Sequence, residues 1–390
     1  SFIELSKSGD KFLSNSLLRI GIIGCGSVVL TRHIPALLTI DTAQVIGVAD
    51  PAAPNREKAR FALKLPNEAA YADFQSLLKA GVDYVLVAVP PKFRRRIIED
   101  CARMGIHVIT EKPLAIVPVE GRAMIEMMQA AGLHFGIMHN YLFMPHFMLA
   151  HQLIQQGVIG KLRHMSLQWM NMRINPGNDH YNRHWRHDFQ ESGGGILLDI
   201  LHAVYLAVHF MEGPVRAVSA TIDNFDRDGE QVEGFGIVHY HFDEGYASTN
   251  LWWGYGPNGF EISGTEGYLI QFNNSPSTST LSHLTLINRQ GEQVFPLEDD
   301  DFSKHTAPFA AIHADFARAI QEDRPPIAPA QAGLTALEAI LAAYASAATG
   351  RVVSLPLSPD DPVFQQGAIG IRELPIWPDS PAYKRGLFAL

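Results

Sequence analysis

Arg19-Ile20-Gly21-Ile22-Ile23-Gly24-Cys25-Gly26-Ser27-Val28-Val29 decides the fold. An apolar strand-like run ends in Gly-x-Gly, and a helical pattern follows over about 27–40. Gly24 permits a tight turn, and Gly26 lets the backbone approach a pyrophosphate. From Ser27 onward the helix offers unpaired N–H groups to that anion. Val29 stands where the pattern usually has a third small residue. A lone Gly-x-Gly is a weak signal; the strand before it and the helix after it supply the required context.

Working outward, short apolar runs alternate with helical patterns through the first 140 residues. Strands are expected at Arg19–Ile23, Gln44–Ala49, Tyr84–Val89, Ile106–Thr110 and His134–Met138, with helices near 54–64, 73–80, 92–104 and 118–131. This alternation specifies a doubly wound parallel sheet, a Rossmann domain over 18–139. The rhythm then changes. After a helix at 146–156 come a strand at Leu162–Met172, one continuous helix at 195–211, and strands between 215 and 287. Their period-2 alternation points to a large, open, mostly antiparallel sheet in a second, α+β domain over 140–356. Helices at 308–322 and 331–348 close it. The tail 357–390 reads as a surface wrap, with six prolines in 353–390.

At 390 residues the chain is long enough for two domains, and 47% hydrophobic residues suffice for a sizeable core. The net charge is -9 and no basic stripe is visible, so no nucleic-acid partner is expected. Arg94-Arg95-Arg96 reads as a solvated helix face. No run of 18 apolar residues suggests a membrane span. The two cysteines, Cys25 and Cys101, suit a reducing compartment, and a cytoplasmic location is expected. Residues 1–16 lack an apolar signal-peptide core. The chain begins at Ser1 without Met, which leaves room for a leader removed beforehand.

Asp50 ends the second strand, 24 residues after Gly26. A carboxylate there accepts ribose hydroxyls and repels a 2′-phosphate, which favours NAD. A loop-capping role is the alternative, and nearby Arg56 keeps NADP open. Pro90-Pro91 follow the Tyr84 strand at the sheet edge where a cofactor would lie; they would equally stiffen a turn.

Glu111-Lys112-Pro113 follows a Rossmann strand, and Gly193-Gly194-Gly195-Ile196-Leu197-Leu198-Asp199-Ile200-Leu201-His202 follows about 80 residues later. With the turn at Gly24, and with Ala343-Tyr344-Ala345-Ser346 before Val352-Val353-Ser354-Leu355-Pro356, the chain resembles the glucose-fructose oxidoreductase / inositol dehydrogenase / MocA family over about 18–356. The resemblance implies a nicotinamide cofactor, a sugar, cyclitol or related substrate, and subunit contacts through the second sheet as a homodimer or homotetramer. It also implies a catalytic Lys112, with Glu111 beside it at the cofactor, and an Asp199/His202 pair. Elementary chemistry gives reasons for these residue types. His202 suits the base that removes a hydroxyl proton, and the Lys112 ammonium suits the reacting oxygen. At i and i+3 of one helix, Asp199 and His202 would share a face. Family members commonly separate the two by three residues, whereas here only two intervene.

Further substrate contacts are expected from Asn140 and Tyr141 at the domain junction, and from His184, Trp185 and Arg186, where the family often has a Trp-Arg pair. His180, His184 and His187 have i, i+4, i+7 spacing, which on a helix would suit zinc. With no Cys or Glu in the pattern, substrate binding or loop packing is the preferred reading, and no metal is expected.

Three functions fit these features. The first is hydride transfer between NAD(P) and a secondary hydroxyl of a sugar, cyclitol or glycoside. The second is NAD-dependent glycoside cleavage through transient ring oxidation and elimination. The third is a non-enzymatic nucleotide-binding regulator, which the presence of Lys112, Asp199 and His202 argues against.

Overall fold

The computed structural model describes residues 17–171, 187–225, 230–273, 283–297 and 306–389. In its N-terminal part, β1 (Leu18–Ile23), β2 (Ala43–Ala49), β3 (Ala70–Tyr71), β4 (Tyr84–Val87), β5 (His107–Thr110) and β6 (Phe135–Ile137) form one sheet. The order is β3-β2-β1-β4-β5-β6, with every pairing parallel. This doubly wound order reverses between β1 and β4, where a dinucleotide crevice opens. Tyr84, Val85, Leu86 and Val87 are each fully buried, as a central parallel strand requires. The two-residue β3 carries no readable periodicity and was not expected.

The second sheet contains β7 (Leu162–Trp169), β8 (Ala217–Asp223), β9 (Phe235–His241), β10 (Tyr246–Trp252), β11 (Asn258–Gly264), β12 (Gly267–Asn273), β13 (His283–Asn288), β14 (Gly291–Pro296) and β15 (Val353–Ser354). Its order is β14-β13-β12-β11-β7-β10-β9-β8-β15. Only β7 and β10 run parallel; the other neighbours are antiparallel. Alternate residues of β9 differ in exposure: Gly236, Val238 and Tyr240 point into the core, whereas Phe235, Ile237 and His239 do not.

Two long helices join the sheets. Ala330–Thr349 is apolar enough to cross a membrane by composition, yet 83% of its apolar window is buried inside the protein. Leu337, Ile340, Leu341 and Tyr344 are at most 2% exposed, so its hydrophobicity is used as core. Thr306–Glu322 follows the second sheet in sequence but returns to the first. Phe316 packs edge-on against Tyr84 at 5.4 Å, and Phe309 against His33 at 4.9 Å.

The tail does more than wrap the surface. Just before it Ser354 pairs with Ala217 at the sheet edge, and within it the Phe364 ring lies 4.2 Å from the Arg122 guanidinium. Leu387 and Phe388 are fully buried, with Phe388 4.6 Å from the Tyr344 ring and 5.6 Å from that of Phe189. The proline count misleads because it says nothing about the two apolar residues at the end. Phe388→Ala is therefore expected to lower unfolding free energy by ~3–5 kcal/mol, the usual effect of emptying a buried aromatic site. Urea unfolding measures it, and an unchanged midpoint would place the tail's end outside the core.

Candidate active site

The Gly24 turn hangs from the second strand: Gly24 N donates to Ala49 O at 2.8 Å. Gly24 has φ +90°, and a Cβ there would lie 2.5 Å from Ala88 O, so only glycine fits. At Gly26 a Cβ would meet nothing within 4 Å, which leaves its backbone approachable by a pyrophosphate. Ser27 is exposed in the first turn of the helix, and its carbonyl accepts the Thr31 hydroxyl at 2.8 Å. Val29–His33 is a π-helical turn, and the fully buried Val29 sits in it. The wider turn gives room to a branched residue where a small one is usual.

Asp50 is tied to this turn. Its Oδ2 accepts Cys25 N at 2.7 Å and its Oδ1 accepts Ala52 N at 2.8 Å. Arg56 donates to the Asp50 carbonyl at 2.6 Å. The carboxylate thus braces the Gly24 turn from the end of β2. Burial pushes the Cys25 thiol up to about 12, so this cysteine stays protonated at neutral pH.

Glu111-Lys112-Pro113 begins where Glu111 N donates to Val87 O at 2.9 Å, and the Lys112–Pro113 bond is cis. Arg94 corrects the reading of its basic run. Arg95 and Arg96 are exposed, but Arg94 is 3% exposed. It donates to Val89 O at 2.9 Å and to the carbonyls of Glu111 and Pro113. Burial lowers its pKa to about 10, still far above neutrality. Behind the turn, Glu111 Oε1 meets His33 Nε2 at 2.9 Å, and His33 Nδ1 meets His313 Nε2 at 2.9 Å. Burial pushes the Glu111 carboxyl up, but His33, Lys112 and Arg94 together hold it below the usual range. Pro90 is exposed at the adjoining edge, one residue before the turn Pro91–Phe93.

The Gly-rich block meets this turn directly: Lys112 Nζ donates to the Asp199 main-chain carbonyl at 2.9 Å. The expected continuous helix is broken. Asp199 ends the helix Ile196–Asp199, and His202 begins the helix His202–Phe210, with non-helical geometry at Ile200 between them. The shared-face argument for the pair therefore fails. His202 is positioned by neighbours instead. Its Nδ1 lies 2.8 Å from the Tyr205 hydroxyl, and its ring stacks on Tyr141 at 3.9 Å. Tyr205 also accepts Tyr141 N at 3.0 Å and stacks on His139 at 3.7 Å. Burial and the nearby His209 and Lys112 hold His139 neutral.

The structure thus gathers Lys112, Asp199, His202 and Tyr141 around one junction, with buried Asn140 preceding Tyr141. His184, Trp185 and Arg186 lie outside the described residues. His187 is described: its Nδ1 pairs with Glu230 at 2.9 Å, and its ring stacks on Trp253 at 5.0 Å. Sequence reasoning passed over Arg94, His33, His139 and Tyr205. Arg94 was hidden in a charge run. Tyr205, three residues after His202 in an apolar helix, carried a usable signal, since a phenol among aliphatics needs a partner.

Comparison with known proteins bears on the family and the fold. Residues 18–139 match the model of an oxidoreductase family with an NAD-binding Rossmann fold, and residues 147–270 match a GFO/IDH/MocA C-terminal domain. The chain is 30% identical over 253 residues to a dTDP-3,4-didehydro-2,6-dideoxy-alpha-D-glucose 3-reductase of Saccharopolyspora spinosa, covering 61% of this chain and 72% of the relative. It is 28% identical to a 1,5-anhydro-D-fructose reductase of Ensifer adhaerens, covering 70% and 80%. Among solved structures, a levoglucosan dehydrogenase in complex with NADH and levoglucosan superposes with a TM-score of 0.73 at 21% identity, covering 88% of this chain and all of that one.

The open space at Gly26 separates folding from cofactor binding. Gly26→Ala is expected to melt like the wild type yet bind NAD about tenfold more weakly, ~1.4 kcal/mol. Gly24→Ala is expected to lose stability as well. Calorimetric titration with NAD, beside a thermal melt, checks both, and full NAD affinity in Gly26→Ala would move the pyrophosphate elsewhere.

Proposed function

The chain belongs to the GFO/IDH/MocA family of oxidoreductases, and on that premise we propose that it transfers hydride between NAD and a secondary hydroxyl of a sugar, cyclitol or glycoside. The carrying observation is the bond from Lys112 Nζ to the Asp199 carbonyl, which fixes an ammonium from the Rossmann edge against the block that holds His202. When bound, NAD supplies the hydride acceptor or donor. The turn at Gly24 and Gly26, braced by Asp50, fits its pyrophosphate and ribose. The protein's own groups manage the oxygen and the proton. Lys112 keeps two further N–H donors after bonding Asp199, and these stabilise an oxygen that becomes negative as its proton leaves. His202 takes that proton in oxidation or returns it in reduction. Tyr205 and the Tyr141 ring hold the imidazole in place, and the flat aromatic wall suits the C–H face of a ring substrate. The activities of the two reductases support this substrate class.

The test is an activity panel: levoglucosan, myo-inositol and D-glucose with NAD, and 1,5-anhydro-D-fructose with NADH, followed by the reduced cofactor's absorbance. Lys112→Ala and His202→Ala are each expected to lower kcat by ~10²–10⁴-fold while leaving NAD affinity nearly intact. Failure on every member of the panel would sink the substrate class. Near-normal turnover by His202→Ala would remove His202 as the base.

The second sheet supports a homodimer or homotetramer. Just past the end of β8, Phe225 is 44% exposed and lies beside Phe235 and Trp252 of the sheet, whose rings are 4.9 and 6.3 Å away. An aromatic patch on an open sheet is best covered by a second copy of the same face, as two-fold assembly allows. Light scattering at micromolar concentration should give at least twice the 43.1 kDa chain mass. A monomer would leave that patch unexplained.

A further inference from the structure

Three consecutive amides open the segment that carries Asp199, and one distant residue accepts all three. Gly195 N donates to Glu233 Oε2 at 2.8 Å, Ile196 N to the Glu233 carbonyl at 3.0 Å, and Leu197 N to Glu233 Oε1 at 3.0 Å. The Tyr344 hydroxyl donates to the same Oε1 at 2.8 Å. Glu233 is fully buried, two residues before β9 begins.

The first amides of a helix have no partners of their own, and a local Ser, Thr, Asp or Asn ordinarily takes them. Here the cap position is Gly195, which offers no side chain. The cap arrives from 38 residues further along the chain. Both glycines before Ile196 are needed for that approach. A Cβ on Gly195 would collide with the Glu233 backbone, and one on Gly194 with the Tyr344 hydroxyl. A buried carboxylate is costly unless its oxygens are bound, and a neutral cap would avoid that cost. Burial raises the Glu233 carboxyl to about 7 even against the opposing pull of its bonds from Leu197, Tyr344 and Gly195. All of these partners are donors, so the ionised form is the one they fit.

From this anchor the chain runs directly into the site. Asp199 N donates to Gly195 O at 3.0 Å, Ile200 N to Ile196 O at 2.8 Å, and Ala203 N to Ile200 O at 3.2 Å. The Asp199 carbonyl then receives Lys112. We propose that Glu233 is a positioning residue for hydride transfer: by gripping the amides of Gly195 and Leu197 it fixes where the Asp199 carbonyl holds Lys112 and where His202 faces the substrate. This rests on the function proposed above. Glu233 touches neither substrate nor cofactor and acts only through the turn it holds.

The test uses the full chain with Glu233→Gln and Tyr344→Phe. Glutamine keeps the size but turns an N–H toward at least one donor. Phenylalanine removes only the hydroxyl. Four quantities are read: the thermal melt, NADH affinity by fluorescence, kcat and KM on whichever panel compound the wild type turns over, and the His202 imidazole signals in NMR spectra of ¹⁵N-histidine-labelled protein. Glu233→Gln is expected to lower kcat by about tenfold or more, as small misplacements of reacting groups do. KM and NADH affinity should stay near wild type, and the His202 signals should shift. Tyr344→Phe should move the same readouts in the same direction by less. Unshifted His202 signals in both variants overturn the proposal. So does a kcat that falls only in step with NADH affinity and melting temperature, because that marks general packing. If Glu233→Gln does not fold, Tyr344→Phe decides alone. If the wild type turns over no panel compound, the substrate reading fails separately and the NMR signals still decide the role of Glu233.

Discussion

The carbonyl groups just past the ends of β4 and β5 lose their ladder partners, and the buried guanidinium of Arg94 pairs three of them. Parallel strands direct their carboxyl ends to one edge of the sheet, and past the last ladder bond the chain has no partner of its own. Arg94 reaches from the following helix to Val89, Glu111 and Pro113 at once. An arginine can do this because its donors form a rigid planar fork and its charge survives burial. A neutral side-chain amide has only two N–H groups and could not serve all three carbonyls. The cofactor edge and Lys112 therefore share one brace. Lys112 lies between two residues whose carbonyls Arg94 holds.

A second polar chain runs behind the same turn, and its proton order can be worked out. Glu111 is held ionised, so it only accepts, and His33 Nε2 must carry the proton between them. His33 Nδ1 faces His313 Nε2. If His33 carried both protons, His313 would keep its own on Nδ1, which has no partner among the described residues. An orphaned buried N–H is rarer than an orphaned lone pair. The arrangement with the smaller penalty has His313 donating to His33 and His33 donating to Glu111. Burial, which holds His313 neutral, agrees with it. Helix Thr306–Glu322, far along the chain, thus completes the polar underside of the Rossmann edge.

What the sequence makes legible follows from the range of each interaction. The central strands were readable because burial on both faces demands an unbroken apolar run, and Tyr84–Val87 is one. The Gly24 turn was readable because its steric demand is local. Arg94 was not, because its partners are carbonyls that any sequence possesses. The helix break at Ile200 was not, because no Gly or Pro lies within Ile196–Phe210 to mark it. His139 stacked on Tyr205 joins residues 66 apart in the chain, and no local pattern marks such a pair. Of the expected site, Lys112, Asp199, His202 and Tyr141 come together, while the Trp185-Arg186 pair falls outside the described residues.

The way Lys112 meets the second domain changes what Asp199 contributes. The lysine is held by the Asp199 main-chain oxygen, a group present at any residue in that position. The bond therefore depends on where the backbone lies, and not on the aspartate side chain. That separates two demands usually assigned to one residue. Holding the lysine requires an accurately placed turn, which the Gly-rich block supplies through its fit against the sheet. Whatever the carboxylate does is then a separate property of residue 199. The same division explains why a block with only two residues between Asp199 and His202 still gathers its members. The break at Ile200 re-aims the second helix, and Tyr141 and Tyr205 seat the imidazole by stacking and hydrogen bonding. Spacing along one helix face is not what sets this site. Contacts from three separate elements set it.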